Sequence, residues 1–258
     1  MREKSLLFFD IDGTLAIGKD VPASTKEALK DIREKGHIVF ICTGRPLGYV
    51  RYYFSEYADG FICSNGRFGI RGEEVLYDHP LDQATISSYI SRLHELDAGF
   101  AFFDNEAGYF EGKREDYEDM CHAWIPGFLH YGLDTSSLHA YNFDIVYHNE
   151  TQFKMIEDAF KGEVLFNPHT PHMSADSTIL GVDKGTAMQA IAEALDCPIE
   201  NTFAFGDGAN DVCMITKAGH GIAMGNAIPA LKQQAEFVTT AIHDEGIKNA
   251  LKHYGFLD

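Results

Sequence analysis

The sequence predicts an α/β protein with a doubly wound parallel-sheet core and an inserted α+β domain. The first observation is a series of short runs, such as residues 6–9 and 38–42, that are apolar at every position and alternate with helix-like segments. Parallel strands are buried on both faces and have this pattern. The second observation is that residues 82–179 contain strands of alternating apolar and polar residues instead. We therefore assign residues 1–81 and 180–258 to a discontinuous core and residues 82–179 to the insert.

The core elements follow from apolar runs and from helix start and stop signals. Ser24 with Glu27 three residues later indicates a capping box that begins a helix, and Gly36 indicates its end. The other predicted core helices are 184–195, 209–217, 227–234 and one from about residue 244. The predicted core strands are 6–9, 38–42, 61–63, 202–205, 221–224 and 236–239.

The insert reads as a sheet with accompanying helices. Asp82 is placed to begin a helix that continues to residue 97. Alternation, with Phe143, Ile145 and Tyr147 on one face, indicates a half-buried strand at 142–148. The other predicted strands are 99–103, 107–111, 163–167 and 172–178, and the other predicted helices are 114–124 and 150–161.

Composition limits the classes of function. At 258 residues the chain fits one to two domains, and its formal net charge of -18 disfavours nucleic acid and anionic membranes as partners. No apolar run reaches the roughly 18 residues of a membrane span. The charged N-terminus leads directly into a strand pattern rather than a signal peptide, so we expect a cytoplasmic protein. No feature indicates an obligate protein partner.

Three polar residues directly follow predicted buried strands: Asp10, Thr43 and Asp207. In an open parallel sheet, ligands bind outside the carboxyl ends of the strands. We therefore expect these side chains to meet in one crevice, although they are far apart in the sequence. Lys184, at a predicted helix start, can reach the same place.

Such a crevice would be rich in oxygen donors. Asp10, Asp12 and Asp207 lie in it, with Asn210 and Asp211 close by. Magnesium prefers oxygen ligands of this kind, and manganese accepts the same set. A cation would also relieve the repulsion between closely packed carboxylates. Magnesium is therefore the predicted cofactor.

The same residues suit phosphoryl transfer. Carboxylates accept phosphoryl groups covalently, which makes Asp10 a candidate nucleophile. Thr43 offers a hydroxyl and a backbone N–H to phosphate oxygens, and Lys184 offers a point charge. Asp12 lies two residues beyond Asp10 and is a candidate general acid and base for the leaving oxygen and the attacking water.

The residues also carry a resemblance to a known family. Four segments resemble, in order, the motifs of the haloacid dehalogenase superfamily: Asp10–Thr14 (DIDGT), Cys42–Arg45 (CTGR), Val182–Gly185 (VDKG) and Gly206–Asp211 (GDGAND). Two further segments resemble its Cof-type branch: Ser64–Gly66 (SNG) and Asp244–Ile247 (DEGI). The insert lies where that branch carries an α/β (type IIB) cap. The resemblance implies a Rossmann-like core and covers essentially the whole chain.

The resemblance also implies roles for single residues. Asp10 matches the nucleophile that also binds magnesium, and Asp12 matches the general acid and base whose backbone carbonyl lies on the metal. Thr43 matches the phosphate-binding hydroxyl, Lys184 the lysine beside nucleophile and phosphate, and Asp207 a metal ligand. The remaining candidates are Asp211 for the metal and Gly44, Arg45, Asn65 and Asn210 for phosphate or substrate.

Together these features predict a magnesium-dependent phosphomonoesterase that acts on a small phosphorylated metabolite through phosphorylated Asp10. Sugar phosphates are the first expectation, because Cof-type relatives often act on them. A phosphosugar mutase would use the same aspartate and return the phosphate to sugar. A phosphate-ligand-binding regulatory protein is a third alternative, although it would need neither Asp12 nor a cap.

Overall fold

The computed structural model describes residues 4–135 and 138–258. The chain divides into two compact units, which we call the first unit and the second unit. The first unit consists of Met1–Arg45, Val50–Asp78 and Val182–Asp258, and the second of Pro46–Tyr49 and His79–Gly181.

The chain contains the following strands and helices. The strands are β1 (Leu6–Phe9), β2 (Ile38–Cys42), β3 (Gly60–Cys63), β4 (Phe68–Arg71), β5 (Glu74–Asp78), β6 (Gly99–Phe103), β7 (Gly108–Glu111), β8 (Leu129–Tyr131), β9 (Asn142–Val146), β10 (Val164–Pro168), β11 (Ser174–Ile179), β12 (Thr202–Gly206), β13 (His220–Ala223) and β14 (Phe237–Val238). The helices are α1 (Ala23–Glu34), α2 (Leu47–Phe54), α3 (Gln83–Glu95), α4 (Arg114–Cys121), α5 (Glu150–Ala159), α6 (Lys184–Ala194), α7 (Val212–Lys217), α8 (Pro229–Gln234) and α9 (Gly246–His253).

The first unit is built on a sheet in the order β14-β13-β12-β1-β2-β3-β4-β5. Pairing is parallel from β14 to β3, as predicted, and every residue of β1, β2 and β12 is buried. The α/β core is therefore confirmed. An antiparallel hairpin of β4 and β5 extends the sheet at one edge and was not predicted. β5 is largely exposed, and its short apolar run, residues 75–77, is flanked by Glu74 and Asp78.

Helix starts were predicted with mixed success. The capping box at Ser24 was wrong: α1 follows Pro22, and within the described residues no side chain caps it. Asp82 does cap α3, because its carboxylate accepts from the backbone N–H of Thr85 at 2.9 Å. Asp183 caps α6 in the same way, accepting from the N–H of Thr186 at 2.7 Å. This cap fixes the helix turn that carries Lys184.

The second unit contains a sheet in the order β10-β11-β9-β6-β7-β8, in which only β7 and β8 pair in parallel. Alternating residues of β6, β7 and β9 supply two apolar clusters. The larger cluster includes Phe102, Phe143 and Phe160, and the smaller includes Phe103 and Phe110 with Trp124 packed against it. The predicted alternation therefore buries side chains on both faces of this sheet.

Pro46–Tyr49 was assigned to the core from the sequence, but these residues pack in the second unit. The backbone N–H of Gly48 donates to the carbonyl oxygen of Asn105 at 2.6 Å. The ring of Tyr49 meets that of Trp124 edge-on, with 5.8 Å between centroids. These long-range contacts explain the difference. Within the described ranges, no helix is long and apolar enough to cross a membrane.

Two neighbouring residues of β10 provide a test of the second unit's packing. Phe166 is 9% exposed and packs against Phe143 and Phe160, whereas Leu165 is 57% exposed. We expect Phe166→Ala to destabilise this unit by about 3–5 kcal/mol through the cavity it leaves, and Leu165→Ala to change stability by no more than about 0.5 kcal/mol. Denaturant unfolding followed by circular dichroism measures both. Equal losses in the two variants would contradict the packing described.

Candidate active site

Three predicted site residues follow neighbouring strands of the first sheet. Asp10 follows β1, Thr43 follows β2 and Asp207 follows β12, and β1 pairs in parallel with both other strands. Hydrogen bonds continue beyond the strands: the N–H of Asp10 donates to Phe205 O at 3.0 Å, and that of Thr43 donates to Ile62 O at 2.8 Å. The strand register thus brings these residues to one edge of the sheet.

Lys184 lies at the centre of the charged groups. Its side chain is 0% exposed, and Nζ donates to Asp10 Oδ1 at 2.5 Å and to Asp211 Oδ1 at 2.7 Å. A buried ammonium group needs partners of this kind, since desolvation of a charge is costly. When both carboxylates are ionised, their two negative charges exceed the single positive charge of Lys184 by one.

Asp211 is held rigidly in this arrangement. Its second oxygen, Oδ2, accepts from the backbone N–H groups of Asp207 and Gly208, each at 3.0 Å. The β-carbon of any residue larger than glycine at Gly206 would overlap the Asp211 side chain. The loop after β12 is therefore folded tightly around this carboxylate.

Asp10, Asp207 and Asp211 fit a divalent cation. Each offers a carboxylate oxygen, and these oxygens all lie within 4.8 Å of one another. Hard oxygen donors and an excess of negative charge are the features that magnesium prefers. Asp12 differs, because its side chain is 58% exposed and Oδ2 lies 3.6 Å from a guanidinium nitrogen of Arg45. Its carboxylate thus lies outside the three-aspartate cluster.

The pKa values of Asp10 and Asp207 are raised in this crowded cluster. Burial, followed by the charge of Asp211, raises the pKa of Asp10 from 3.8 to about 8 against the opposing effect of Lys184. Burial also raises the pKa of Asp207. Burial opposes the charged form of Lys184, but the carboxylates of Asp10 and Asp211 outweigh it and raise the lysine's pKa above its ordinary value. Without a cation, the cluster therefore retains a proton at neutral pH.

The candidates for phosphate binding also lie together. The Thr43 hydroxyl accepts from the N–H of Arg45 at 3.2 Å, and Thr43 O accepts from the N–H of Asn65 at 3.0 Å. Asn210 Nδ2 donates to Asn65 Oδ1 at 3.4 Å, and a β-carbon at Gly44 would lie 3.2 Å from the Asn65 amide. All five residues thus form one connected group beside β2 and β3.

The Ser64–Gly66 turn contacts the segment that carries Lys184. Its three residues have positive φ, 50° at Ser64, 54° at Asn65 and 99° at Gly66. A side chain at Gly66 would overlap the backbone of Asp183. The turn therefore packs backbone against backbone at the start of α6, which requires glycine.

Two residues that hold Asp207 were missed as site residues. Thr14 Oγ1 donates to Asp207 Oδ1 at 3.0 Å, and Asn226 Nδ2 lies 3.4 Å from Asp207 Oδ2. Thr14 is part of the DIDGT segment, but no role was assigned to it. Asn226 lies three residues after the end of β13, so it lacks the position directly after a strand that identified Asp10.

The comparisons with known proteins agree with this geometry. The profile of the haloacid dehalogenase-like hydrolases matches residues 7–251. The chain belongs to this family. Among relatives of this hydrolase is YkrA of Bacillus subtilis (strain 168), a phosphatase by name, which is 31% identical over 99% of both chains. The 5-amino-6-(5-phospho-D-ribitylamino)uracil phosphatase YcsE of the same organism is 26% identical, over 96% of this chain and 95% of its own.

Solved structures extend the similarity to the fold. The sugar phosphatase BT4131, of haloacid dehalogenase subclass IIB, superposes with a TM-score of 0.80 at 28% identity, over 98% of this chain and 100% of its own. The predicted membership of the Cof-type branch and the predicted phosphatase activity are thereby confirmed.

Substitution of Gly13 tests how closely the loop after Asp10 must approach the loop that carries Asp207. It has a φ of 85°, and a β-carbon there would overlap the Asp207 carboxylate. We expect Gly13→Ala to displace Asp207 and lower the rate of phosphate release by at least about tenfold, as loss of a partner around a metal ligand does. Gly18 is a matched control in the same loop, since its φ is 63° but open space surrounds it. Gly18→Ala should keep its activity, and equal activity losses would contradict the steric explanation.

The raised pKa of Asp10 predicts a pH dependence of stability in chelator. Between about pH 3.8 and about 8, Asp10 is protonated in the folded protein and ionised in the unfolded chain. The folded state then binds more protons, so its contribution to the free energy of unfolding falls as pH rises through this window, by up to about 1.4 kcal/mol per pH unit. Asp10→Asn should remove this contribution. Denaturant unfolding of both proteins across the range measures the difference, and parallel curves would refute the assignment.

Proposed function

We propose that this phosphatase is a magnesium-dependent phosphomonoesterase that hydrolyses a small phosphorylated metabolite through phosphorylated Asp10. The main support is the buried Lys184 ammonium between Asp10 and Asp211, with the Asp207 carboxylate in the same cluster. An ordinary structural ion pair would not need a third, half-buried carboxylate beside it. A site that receives a cation and a phosphate group would.

In the first step, a carboxylate oxygen of Asp10 bonds to phosphorus while the bond from phosphorus to the ester oxygen breaks. Asp12 donates a proton to the departing oxygen, which leaves as an alcohol. In the second step, water attacks phosphorus, Asp12 takes its proton, and the bond between Asp10 and phosphorus breaks. Inorganic phosphate is released and both aspartates return to their initial states.

Other residues provide binding and charge. When bound by Asp10, Asp207 and Asp211, magnesium supplies positive charge to the transferring phosphoryl group. Lys184 holds one oxygen of Asp10 and so orients the nucleophile. The Thr43 hydroxyl, the Gly44 N–H and the Arg45 guanidinium group are the donors that we assign to phosphate oxygens.

The exposure of Asp12 suits an acid and base. Its carboxylate is 58% exposed and lies 3.6 Å from Arg45, whereas Asp10 is buried. A group that gives and takes a proton in each cycle has to exchange protons with water or substrate. The two carboxylates of the DIDGT segment therefore have environments that match different tasks.

For the substrate, we propose a sugar phosphate or a closely related phosphorylated polyol. BT4131 is a sugar phosphatase, and YcsE acts on a phosphoribityl compound. Both support a small phosphomonoester of a polyhydroxylated carbon chain.

A panel of phosphorylated metabolites tests the activity, with phosphate release measured in magnesium and in chelator. Magnesium-dependent release from a few related sugar phosphates is the expected result. Conversion of a hexose 1-phosphate to the 6-phosphate without free phosphate would establish a mutase instead. Binding of a phosphorylated ligand without turnover, unchanged in Asp10→Asn, would indicate a regulatory protein.

Aspartate variants test the covalent mechanism. We expect Asp10→Asn to abolish turnover, because an amide cannot accept the phosphoryl group. Asp12→Asn should slow turnover by about 100-fold or more, the scale of a lost general acid or base. Mass spectrometry after acid quench should detect phosphorylated Asp10 in the active protein and not in Asp10→Asn.

Asp31 on the exposed face of α1 supplies a control, and Asp31→Asn should turn over at the rate of the unmodified protein. Full activity in Asp10→Asn would rule out the aspartyl-phosphate.

A further inference from the structure

We infer that Asn226 is a positioning residue that holds Asp207 for the metal, an inference that rests on the proposed magnesium chemistry. Asn226 lies in the loop between β13 and α8, outside the segments that carry the nucleophile and the metal ligands. Its amide connects three parts of the first unit that are distant in sequence.

The hydrogen bonds of Asn226 fix the orientation of its amide. Nδ2 donates to Gly13 O at 2.8 Å and lies 3.4 Å from Asp207 Oδ2, and Oδ1 accepts from the N–H of Ile242 at 3.0 Å. A backbone carbonyl can only accept and a backbone N–H can only donate. The amide nitrogen must therefore face Gly13 and Asp207.

The loop around Asn226 is anchored on both sides. Before it, the N–H of Met224 donates to Gly206 O at 3.0 Å. After it, the N–H of Ile228 donates to Asp207 O at 3.0 Å. Both acceptors belong to the end of the strand that presents Asp207. The Asn226 side chain is therefore held in register with the carboxylate that it contacts.

Thr14 and Asn226 contact different oxygens of the Asp207 carboxylate. Thr14 donates to Oδ1 and Asn226 approaches Oδ2, while Asn226 also binds the Gly13 carbonyl of the loop after Asp10. These contacts fix the rotation of Asp207 and tie its loop to the loop that carries Asp10. A neutral amide does this without adding charge to the acidic cluster. Partners of this kind around metal ligands typically contribute 10- to 100-fold in metal affinity, about 1.4 to 2.7 kcal/mol.

Calorimetric titration with magnesium chloride tests the inference without reliance on activity. We expect Asn226→Ala to weaken magnesium binding by about tenfold or more. Asn249→Ala is the matched control. Asn249 Nδ2 donates to Thr240 Oγ1 and Asp244 O, each at 2.9 Å. It therefore binds the C-terminal segment 240–244, which Asn226 also contacts through Ile242, but it makes no contact with Asp207. This variant should bind magnesium like the unmodified protein.

The outcomes distinguish this inference from the proposed function. Failure of the unmodified protein to bind magnesium would overturn the proposed function and the inference with it. Magnesium binding by Asn226→Ala within twofold of the unmodified protein would overturn the inference alone. So would an equal loss in Asn249→Ala, because that result would assign the effect to the C-terminal segment.

A second variant covers the case in which Asn226→Ala does not fold. Asn226→Asp has nearly the same shape and still accepts from Ile242, but it has no N–H to donate to Gly13. We expect it to fold and to release phosphate at least about tenfold more slowly at saturating magnesium, since the donor to Gly13 is lost and a further negative charge lies beside Asp207. Turnover equal to that of the unmodified protein would overturn the positioning role.

Discussion

The positive charge of Lys184 has no access to water, and the arrangement of the first unit follows from neutralising it. A buried ammonium group without partners would cost several kcal/mol, so Asp10 and Asp211 have to meet it. Asp10 directly follows β1, Asp211 lies between β12 and α7, and Lys184 comes from the start of α6. The third carboxylate, Asp207, adds further negative charge. A bound proton or a divalent cation would neutralise this excess negative charge. The same charge balance thus brings carboxylate oxygens of Asp10, Asp207 and Asp211 within 4.8 Å of one another.

Close backbone approach is the second condition for this charge cluster. Gly13 allows the first acidic loop to lie against Asp207, Gly206 leaves space for Asp211, and Gly66 allows the Ser64–Gly66 turn to reach the start of α6. In each case a β-carbon would occupy space that a carboxylate or a carbonyl already fills. These glycines explain how loops from distant parts of the sequence can approach one another within a few ångströms.

The sequence predicts that Asp10, Thr43 and Asp207 come to one edge of the sheet, because the signals for this are local. Continuous apolar runs locate β1, β2 and β12, and a polar residue directly after each run indicates the sheet edge where ligands bind. Features that depend on distant partners were not predictable in this way. The hairpin of β4 and β5 has mixed polarity at an edge, and Pro46–Tyr49 find their partners near Asn105 and Trp124, more than fifty positions away. The role of Asn226 was hidden for the same reason, since its contacts with Gly13 and Ile242 exist only in the folded chain.

The assignment of Pro46–Tyr49 to the second unit changes how separable that unit is. A single inserted unit would be connected to the first unit at two points only, here near His79 and Gly181. In this protein the chain also leaves the first unit after Arg45 and returns to it at Val50. A graft of 79–181 onto another phosphatase would leave behind the Gly48 hydrogen bond and the Tyr49 ring contact. A transplant of the second unit would therefore require a host whose own segment after the CTGR motif offers equivalent contacts. The unit that would have to be moved consists of two segments of the chain rather than of one insertion.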